Sequence, residues 1–190
     1  MHPDQTLVEA VLARQAGAFE RLVRQHQRLV WHLVQRMVMD AEDTRDLSQE
    51  VFFRVYQKLH QFRFDCSLAS WIGRVAFSIA TRHLQRRHIP IEETWSGGEE
   101  EDAAMIDMVA DDADIEADLV RGDLLRHVQR AMANLSPIHR TLLTLYHADE
   151  LSIAEMVIIT GQPEGTIKNS LFRARQRLRV ALQDLIEVPV

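Results

Sequence analysis

Residues 163–179 set Lys168, Asn169, Phe172, Arg173 and Arg175 mostly outside an apolar stripe made by Ile167, Leu171, Ala174 and Leu178. The stripe recurs at helical spacing and can face a core, which turns the donor-rich side chains towards solvent. Donors on an exposed helix suit the base edges and phosphates of duplex DNA. The elements upstream are the ones such a helix needs. Ser152-Ile153-Ala154-Glu155 has the spacing of a capping box, hydroxyl at the N-cap and carboxylate three residues on, and predicts a short helix from Ser152 to Thr160. Gly161-Gln162 predicts a tight turn, and Pro163 suits the first position of the next helix, where its missing N–H is no loss. A capped helix, a glycine turn and a second helix rich in donors follow the pattern of a helix-turn-helix, whose second helix enters a major groove.

The rest of the chain is built from the same material. Its 190 residues suffice for one large domain or two small ones. Aromatics, Gly and Pro are sparse, and apolar residues recur at helical rather than alternating spacing, which predicts an all-α protein. The single cysteine, Cys66, excludes an internal disulfide and fits a reducing cytoplasm. Asp4, Glu9 and Arg14 interrupt any apolar leader, and no stretch approaches ~20 uninterrupted apolar residues; a cytoplasmic location without membrane insertion is expected.

The net charge of −6 conceals its own distribution. Residues 91–120 hold 12 Asp/Glu and no Lys or Arg, residues 1–90 hold 13 basic against 9 acidic side chains, and residues 121–190 hold 9 against 7. Two mildly basic lobes thus flank an acidic connector. In the first lobe, helices are predicted from about Asp4 to Gln15, across Phe19 to Met37, and from the acidic turn Asp40–Thr44 to about Phe62. The last of these carries Leu47, Val51, Val55 and Leu59 as an inward row. A fourth, with Ser67 as N-cap, carries Leu68, Ile72, Val75, Ile79 and Leu84, with Trp71 assigned to the core, and ends at Arg86-Arg87-His88. Residues 90–118 lack amphipathicity and read as a disordered linker. Beyond them, apolar periodicity from Leu119 to Leu135, a Ser136-Pro137 helix start and the helix-turn-helix complete a second four-helix unit ending near Ile186. The expected organisation is a four-helix domain over 1–89, an acidic flexible linker over 90–118 and a helix-turn-helix domain over 119–190.

With both lobes placed, the chain resembles the extracytoplasmic-function sigma factors, the minimal two-domain promoter-recognition subunits of bacterial RNA polymerase. Four segments carry the resemblance: Asp43-Thr44-Arg45-Asp46-Leu47-Ser48-Gln49-Glu50-Val51-Phe52, Trp71-Ile72-Gly73-Arg74-Val75-Ala76, Leu135-Ser136-Pro137-Ile138-His139-Arg140, and Glu164-Gly165-Thr166-Ile167-Lys168 through Arg173-Ala174-Arg175. They stand in the family's order, with a linker between the second and third.

The resemblance implies a sigma-2-type and a sigma-4-type domain and three sets of contacts. Asp46, Gln49, Glu50 and Phe53, one stripe of the third helix, match positions that dock on the β′ coiled coil of core polymerase; the β flap is the second expected polymerase contact. Phe62, Arg63, Phe64 and Asp65, with Ser78, Arg82, Arg86 and Arg87, match the elements that capture melted −10 bases, where an aromatic wall returns ~1–3 kcal/mol per stacked base. Phe77 and Ser78 depart from the family's common residues there, a departure that bears on base preference. Lys168, Asn169, Phe172 and Arg173 match base-facing −35 positions, while Thr166, Ser170, Arg175 and Arg177 are placed for phosphates. In the family the two promoter elements lie about two DNA turns, or ~70 Å, apart. A relaxed coil of about 30 residues spans about 30 Å, so the connector must stretch, and its carboxylates assist by repelling one another. A dedicated anti-sigma factor is a further expected partner. No catalytic residue, cofactor or metal is expected.

Two other classes compete with this reading. A stand-alone helix-turn-helix repressor or activator would use the same second helix but leaves the Asp46/Glu50 stripe and the stretched linker without a role. A metal-dependent hydrolase would need its nine histidines grouped with carboxylates, yet no His-x-x-x-His or Glu-x-x-His pair falls on one buried face. Cys66 lies near the predicted base pocket as either a redox handle or an inert small side chain.

Overall fold

The structure, a computed structural model, describes residues 3–89 and 118–186, without the side chains of 118–125 and 184–186. The acidic connector lies outside the described residues except for its last position. Among the described residues there are eight α-helices and no strands: α1 (Gln5–Leu12), α2 (Ala18–Val38), α3 (Ala41–Lys58), α4 (Leu68–Arg86), α5 (Asp118–Ala133), α6 (Pro137–His147), α7 (Ile153–Thr160) and α8 (Glu164–Ile186). Helix α1 stops short of the predicted Gln15, because Arg14 at φ 55° and Gly17 at φ 73° turn the chain left-handed into α2. The helix expected to run to Phe62 ends at Lys58, where its last turn tightens into a 3-10 segment, Leu59–Gln61.

Short polar side chains set the helix starts. Asp40 accepts from the N–H of Asp43 at 2.8 Å, Ser67 from Ser70 at 3.1 Å and Ser136 from His139 at 3.4 Å. The capping box is complete, with Ser152 N–H donating to Glu155 Oε2 at 2.9 Å and Glu155 N–H donating to Ser152 Oγ at 3.3 Å. Gly161, at φ 73°, ends α7 in the left-handed region and redirects the chain into α8. One cap comes from far away: Asp4 Oδ2 accepts from the N–H of Leu68 at 2.8 Å and ties the N-terminal segment to the start of α4.

The predicted inward row Leu47, Val51, Val55 and Leu59 is buried, and so are Ile167, Leu171 and Ala174 of α8. These two sets belong to one continuous apolar cluster that runs from Val8 to Ala174. Helix α2 packs on α6 and α4 packs on α7, so the N-terminal helices and the helix-turn-helix share a core. The charge distribution gave no sign of that seam, because linker and lobe charges suggest units that stand apart.

Candidate nucleic-acid and polymerase interfaces

Helix α3 buries one face and leaves another to solvent. Asp46, Gln49, Glu50 and Phe53 all lie on the exposed side, and Phe53 is 62 % exposed. Tyr56, three residues on and 47 % exposed, lengthens this acidic-aromatic stripe; its ring meets Phe19 edge-on at 5.0 Å. Tyr56 was missed by sequence reasoning, though its i+3 spacing from Phe53 carried the signal. Glu50 pairs with Arg54 at 3.5 Å across one helical turn.

Arg54 faces a second site. With Lys58 and Gln61 from the end of α3, and Trp71, Arg74, Val75, Ser78 and Arg82 from α4, it lines an open cavity of about 590 Å³. Four cationic side chains and one indole wall surround that space, an arrangement suited to phosphates and a stacked base. Ser78 and Arg82 belong to the predicted −10 set; Arg54, Lys58, Gln61 and Arg74 do not. Arg74, Ser78, Arg82 and Arg86 form a strict i, i+4 row, so extending the row by one turn would have found Arg74. Trp71, assigned to the core from sequence, is only partly buried and forms part of the wall.

The loop before α4 divides its predicted residues. Arg63 and Asp65 are exposed and Phe64 is half-buried at φ 62°, an unusual conformation for an aromatic residue. Phe62 is 7 % exposed, packed against Phe64 at 4.8 Å and Trp71 at 5.6 Å between ring centroids. Burial withdraws Phe62 from direct contact with nucleic acid in this conformation and makes it the support beneath Phe64 and Trp71. On α4, Arg86 is exposed, while Arg87 reaches Asp43 Oδ2 at 3.0 Å, a carboxylate that also faces His83 at 3.4 Å. Burial, and after it Asp65, pushes the Cys66 thiol up, the opposite of what a reactive thiolate requires.

Helix α8 presents a narrower face than its sequence suggests. Lys168 is exposed and paired with Glu164 at 2.6 Å; Thr166, Asn169, Phe172 and Arg173 are half-buried; Arg177 is exposed. The guanidinium of Arg175 lies 5.3 Å from the Tyr146 ring centroid, a cation–π contact that turns it towards α6. Ser170, expected at a phosphate, is 3 % exposed and packs inside the helix-turn-helix, so it contacts no phosphate in this arrangement. Beneath α8, His139 is buried with neither ring nitrogen bonded. Burial, then Arg177 and Arg173, pulls its pKa down to about 4, and it stays neutral beside those arginines.

Among the described residues, the chain's all-helical fold, with a basic, aromatic-walled cavity and a helix-turn-helix, has the form of a DNA-binding regulator. Its sequence matches Sigma-70 region 2 over residues 22–88 and Sigma-70 region 4 over residues 125–178. It is 32 % identical to the RNA polymerase sigma-H factor of Pseudomonas aeruginosa, covering 96 % of this chain and 95 % of that one. It is also 32 % identical to the ECF RNA polymerase sigma-E factor of Escherichia coli, covering 96 % of each. The sigma factor RpoE of Bartonella quintana, solved with the anti-sigma factor NepR, shares the fold at a TM-score of 0.63 and 20 % identity, covering 88 % of this chain and 98 % of that one. The chain belongs to the extracytoplasmic-function family of RNA polymerase sigma factors and acts as an alternative sigma factor. Among the described residues, no helix is long and apolar enough to cross a membrane.

Proposed function

We propose that residues 1–89 dock on core RNA polymerase and capture the melted −10 element, that residues 119–190 read the −35 element, and that residues 90–118 join the two. The observation that carries this is the cavity where Arg54, Lys58, Arg74 and Arg82 surround Trp71, one turn of α3 away from the exposed Phe53. An extruded base stacks against the indole while the guanidinium and ammonium groups hold its flanking phosphates, worth ~1–3 kcal/mol per stacked base. Opening a transcription bubble costs far more than one or two captured bases return, so the melting work comes from polymerase, which the Asp46, Gln49, Glu50 and Phe53 stripe engages through the β′ coiled coil. The helix-turn-helix domain docks on the β flap and sets Lys168, Asn169, Phe172 and Arg173 into the −35 major groove, with Thr166, Arg175 and Arg177 towards phosphates. Cytoplasmic action and restraint by an anti-sigma factor follow from the same reading and are supported by relatives of that class. Run-off transcription with core polymerase on a genomic library, with and without the chain, tests it. Promoter-specific transcripts that appear only with the chain are expected; their absence would overturn the reading.

A further inference from the structure

Asp4 starts two helices. Its main-chain carbonyl accepts from the N–H of Val8 at 3.0 Å and opens α1. Its side chain makes no capping hydrogen bond to α1, although an aspartate at the N-cap ordinarily closes its own helix. Instead Oδ2 accepts from the N–H of Leu68, the first residue of α4, at 2.8 Å. Ser67 already caps α4 locally by accepting from the N–H of Ser70 at 3.1 Å. Asp4 therefore meets a further orphan donor of the same turn, and brings a negative charge that the helix dipole favours.

In the sigma-factor reading, the chain ahead of that turn is the base-capture loop. The N-terminal segment holds residues 62–67 at both ends. Helix α1 packs on the 3-10 segment Leu59–Gln61, where the loop begins, and Asp4 bonds Leu68, where it ends. Between these anchors Phe64 sits at φ 62°, a left-handed conformation that a bulky residue keeps only while its surroundings over-determine it. Phe62 supports it from beneath, with ring centroids 4.8 Å apart, and meets Trp71 at 5.6 Å. Burial first, then Asp65 and to a lesser degree Asp4, push the Cys66 thiol up, so the Asp4 charge is felt inside the loop as well as at the helix start.

We propose that Asp4 is a positioning residue for base capture. Its bond to Leu68 fixes the far end of the loop and so holds Phe64 in the left-handed conformation, on the aromatic cluster that Trp71 extends into the basic cavity. Asp4 touches no base; it acts through Phe64. The proposal rests on the sigma-factor reading of that loop.

The test follows capture of single-stranded non-template DNA by holoenzyme assembled with each variant. The strand carries the −10 sequence recovered from the run-off screen, intact or with an abasic site at each position in turn. In the parent chain one abasic position should weaken capture about tenfold, the scale of one base–aromatic stack. Asp4→Ala should weaken capture of the intact strand by a similar factor and shrink that abasic penalty to within about twofold, because the stack is already lost. Asp4→Asn keeps an oxygen that accepts from Leu68 and should hold both values near those of the parent. Adding Asp4→Ala to Phe64→Ala should weaken capture little further, as for two residues that act as a unit. Affinity for core polymerase and the −35 preference should be unmoved by Asp4→Ala.

A full abasic penalty in Asp4→Ala, a loss as large in Asp4→Asn, or additive losses with Phe64→Ala overturns the proposal. Weakened core binding in Asp4→Ala would mark general destabilisation and overturns it too. A parent holoenzyme that captures no strand overturns the sigma reading itself, whereas capture by the parent with Asp4→Ala unchanged overturns the positioning role alone.

Discussion

Arg140 on α6 donates from Nε to the main-chain carbonyl of Arg36 at 2.5 Å, so a buried cation of the helix-turn-helix domain closes the C-terminal turn of α2. Its Nη1 donates to the carbonyls of Ala133 and Leu135 at 3.2 and 3.0 Å, where α5 ends. One guanidinium therefore serves the carbonyl ends of two helices, where orphan acceptors and the helix dipole both favour positive charge. Burial, then the Arg36 guanidinium, draws its pKa down to about 10, which leaves it charged at neutral pH.

Arg140→Ala strips the partner from three carbonyls at once. Urea denaturation should show a loss of about 3 kcal/mol, in the range for hydrogen bonds to a charged group plus buried acceptors left bare. Arg140→Lys should recover only part of that, because an ammonium lacks the planar fork that reaches carbonyls in different directions. Full recovery by lysine would mean that charge alone does the work.

His139 gives the stability a direction with pH. Well above its ordinary value of 6.5, the ring is neutral in both folded and unfolded chains. Between 6.5 and about 4 the unfolded chain takes up the proton and the folded chain does not, so stability falls as pH falls through that window. The loss is about 3 kcal/mol at most, from the size of the displacement. His26, also lowered by burial, pulls the same way. Urea denaturation at pH 7 and pH 4.5 should show His139→Leu losing less stability between the two than the parent chain; an equal loss would remove His139 from the account.

The helix starts were legible because each rests on one local side chain: Asp40, Ser67, Ser136, and Ser152 with Glu155 sit where their spacing put them. The burial of Ser170 was not legible, because a serine between Asn169 and Leu171 carries no mark of which way it faces until α8 is set against its neighbours. Phe62 and Trp71 exchanged places for a similar reason: periodicity ranks positions on a helix, but the loop before α4 decides which ring lies beneath and which lines the cavity. The seam did leave a trace. Ile153-Ala-Glu-Met-Val-Ile-Ile-Thr160 is apolar nearly all round, more than one covered face requires, and such a helix is buried on several sides.

The cavity cations can be counted by salt. Each phosphate neutralised on a single strand contributes about 0.7 to the slope of log affinity against log salt concentration. Lys58→Ala and Arg74→Ala should each lower that slope by about that amount in binding of polymerase holoenzyme to single-stranded non-template DNA, with weakening shared across sequences. A slope unchanged by both would move the strand elsewhere on α4.

Phe53 stands exposed beside Asp46 and Glu50, on the stripe proposed to dock on polymerase. Phe53→Ser should weaken association with core polymerase by about tenfold or more, the scale of losing one well-packed interface aromatic. Tyr56→Ser extends the same test to the end of the stripe. Neither substitution should lower the thermal midpoint of the free chain by much, since neither position is buried. Unaltered holoenzyme assembly in both variants would assign the stripe to another partner.

Arg173 and Ser170 lie three residues apart on α8, yet they should behave oppositely towards promoter DNA. Arg173 is half-buried near His139; if it reads the major groove as proposed, Arg173→Ala should relax discrimination at one or two base pairs by ~1–3 kcal/mol each, leaving other positions unaffected. Ser170 is enclosed by the helix-turn-helix, so Ser170→Ala should leave both the −35 preference and its salt dependence unchanged. Transcription from a −35 library by the two variants reads both expectations at once. A uniform loss across sequences in Arg173→Ala would move that residue to the phosphate backbone, whereas altered DNA binding in Ser170→Ala would mean that α8 rotates on engaging its site.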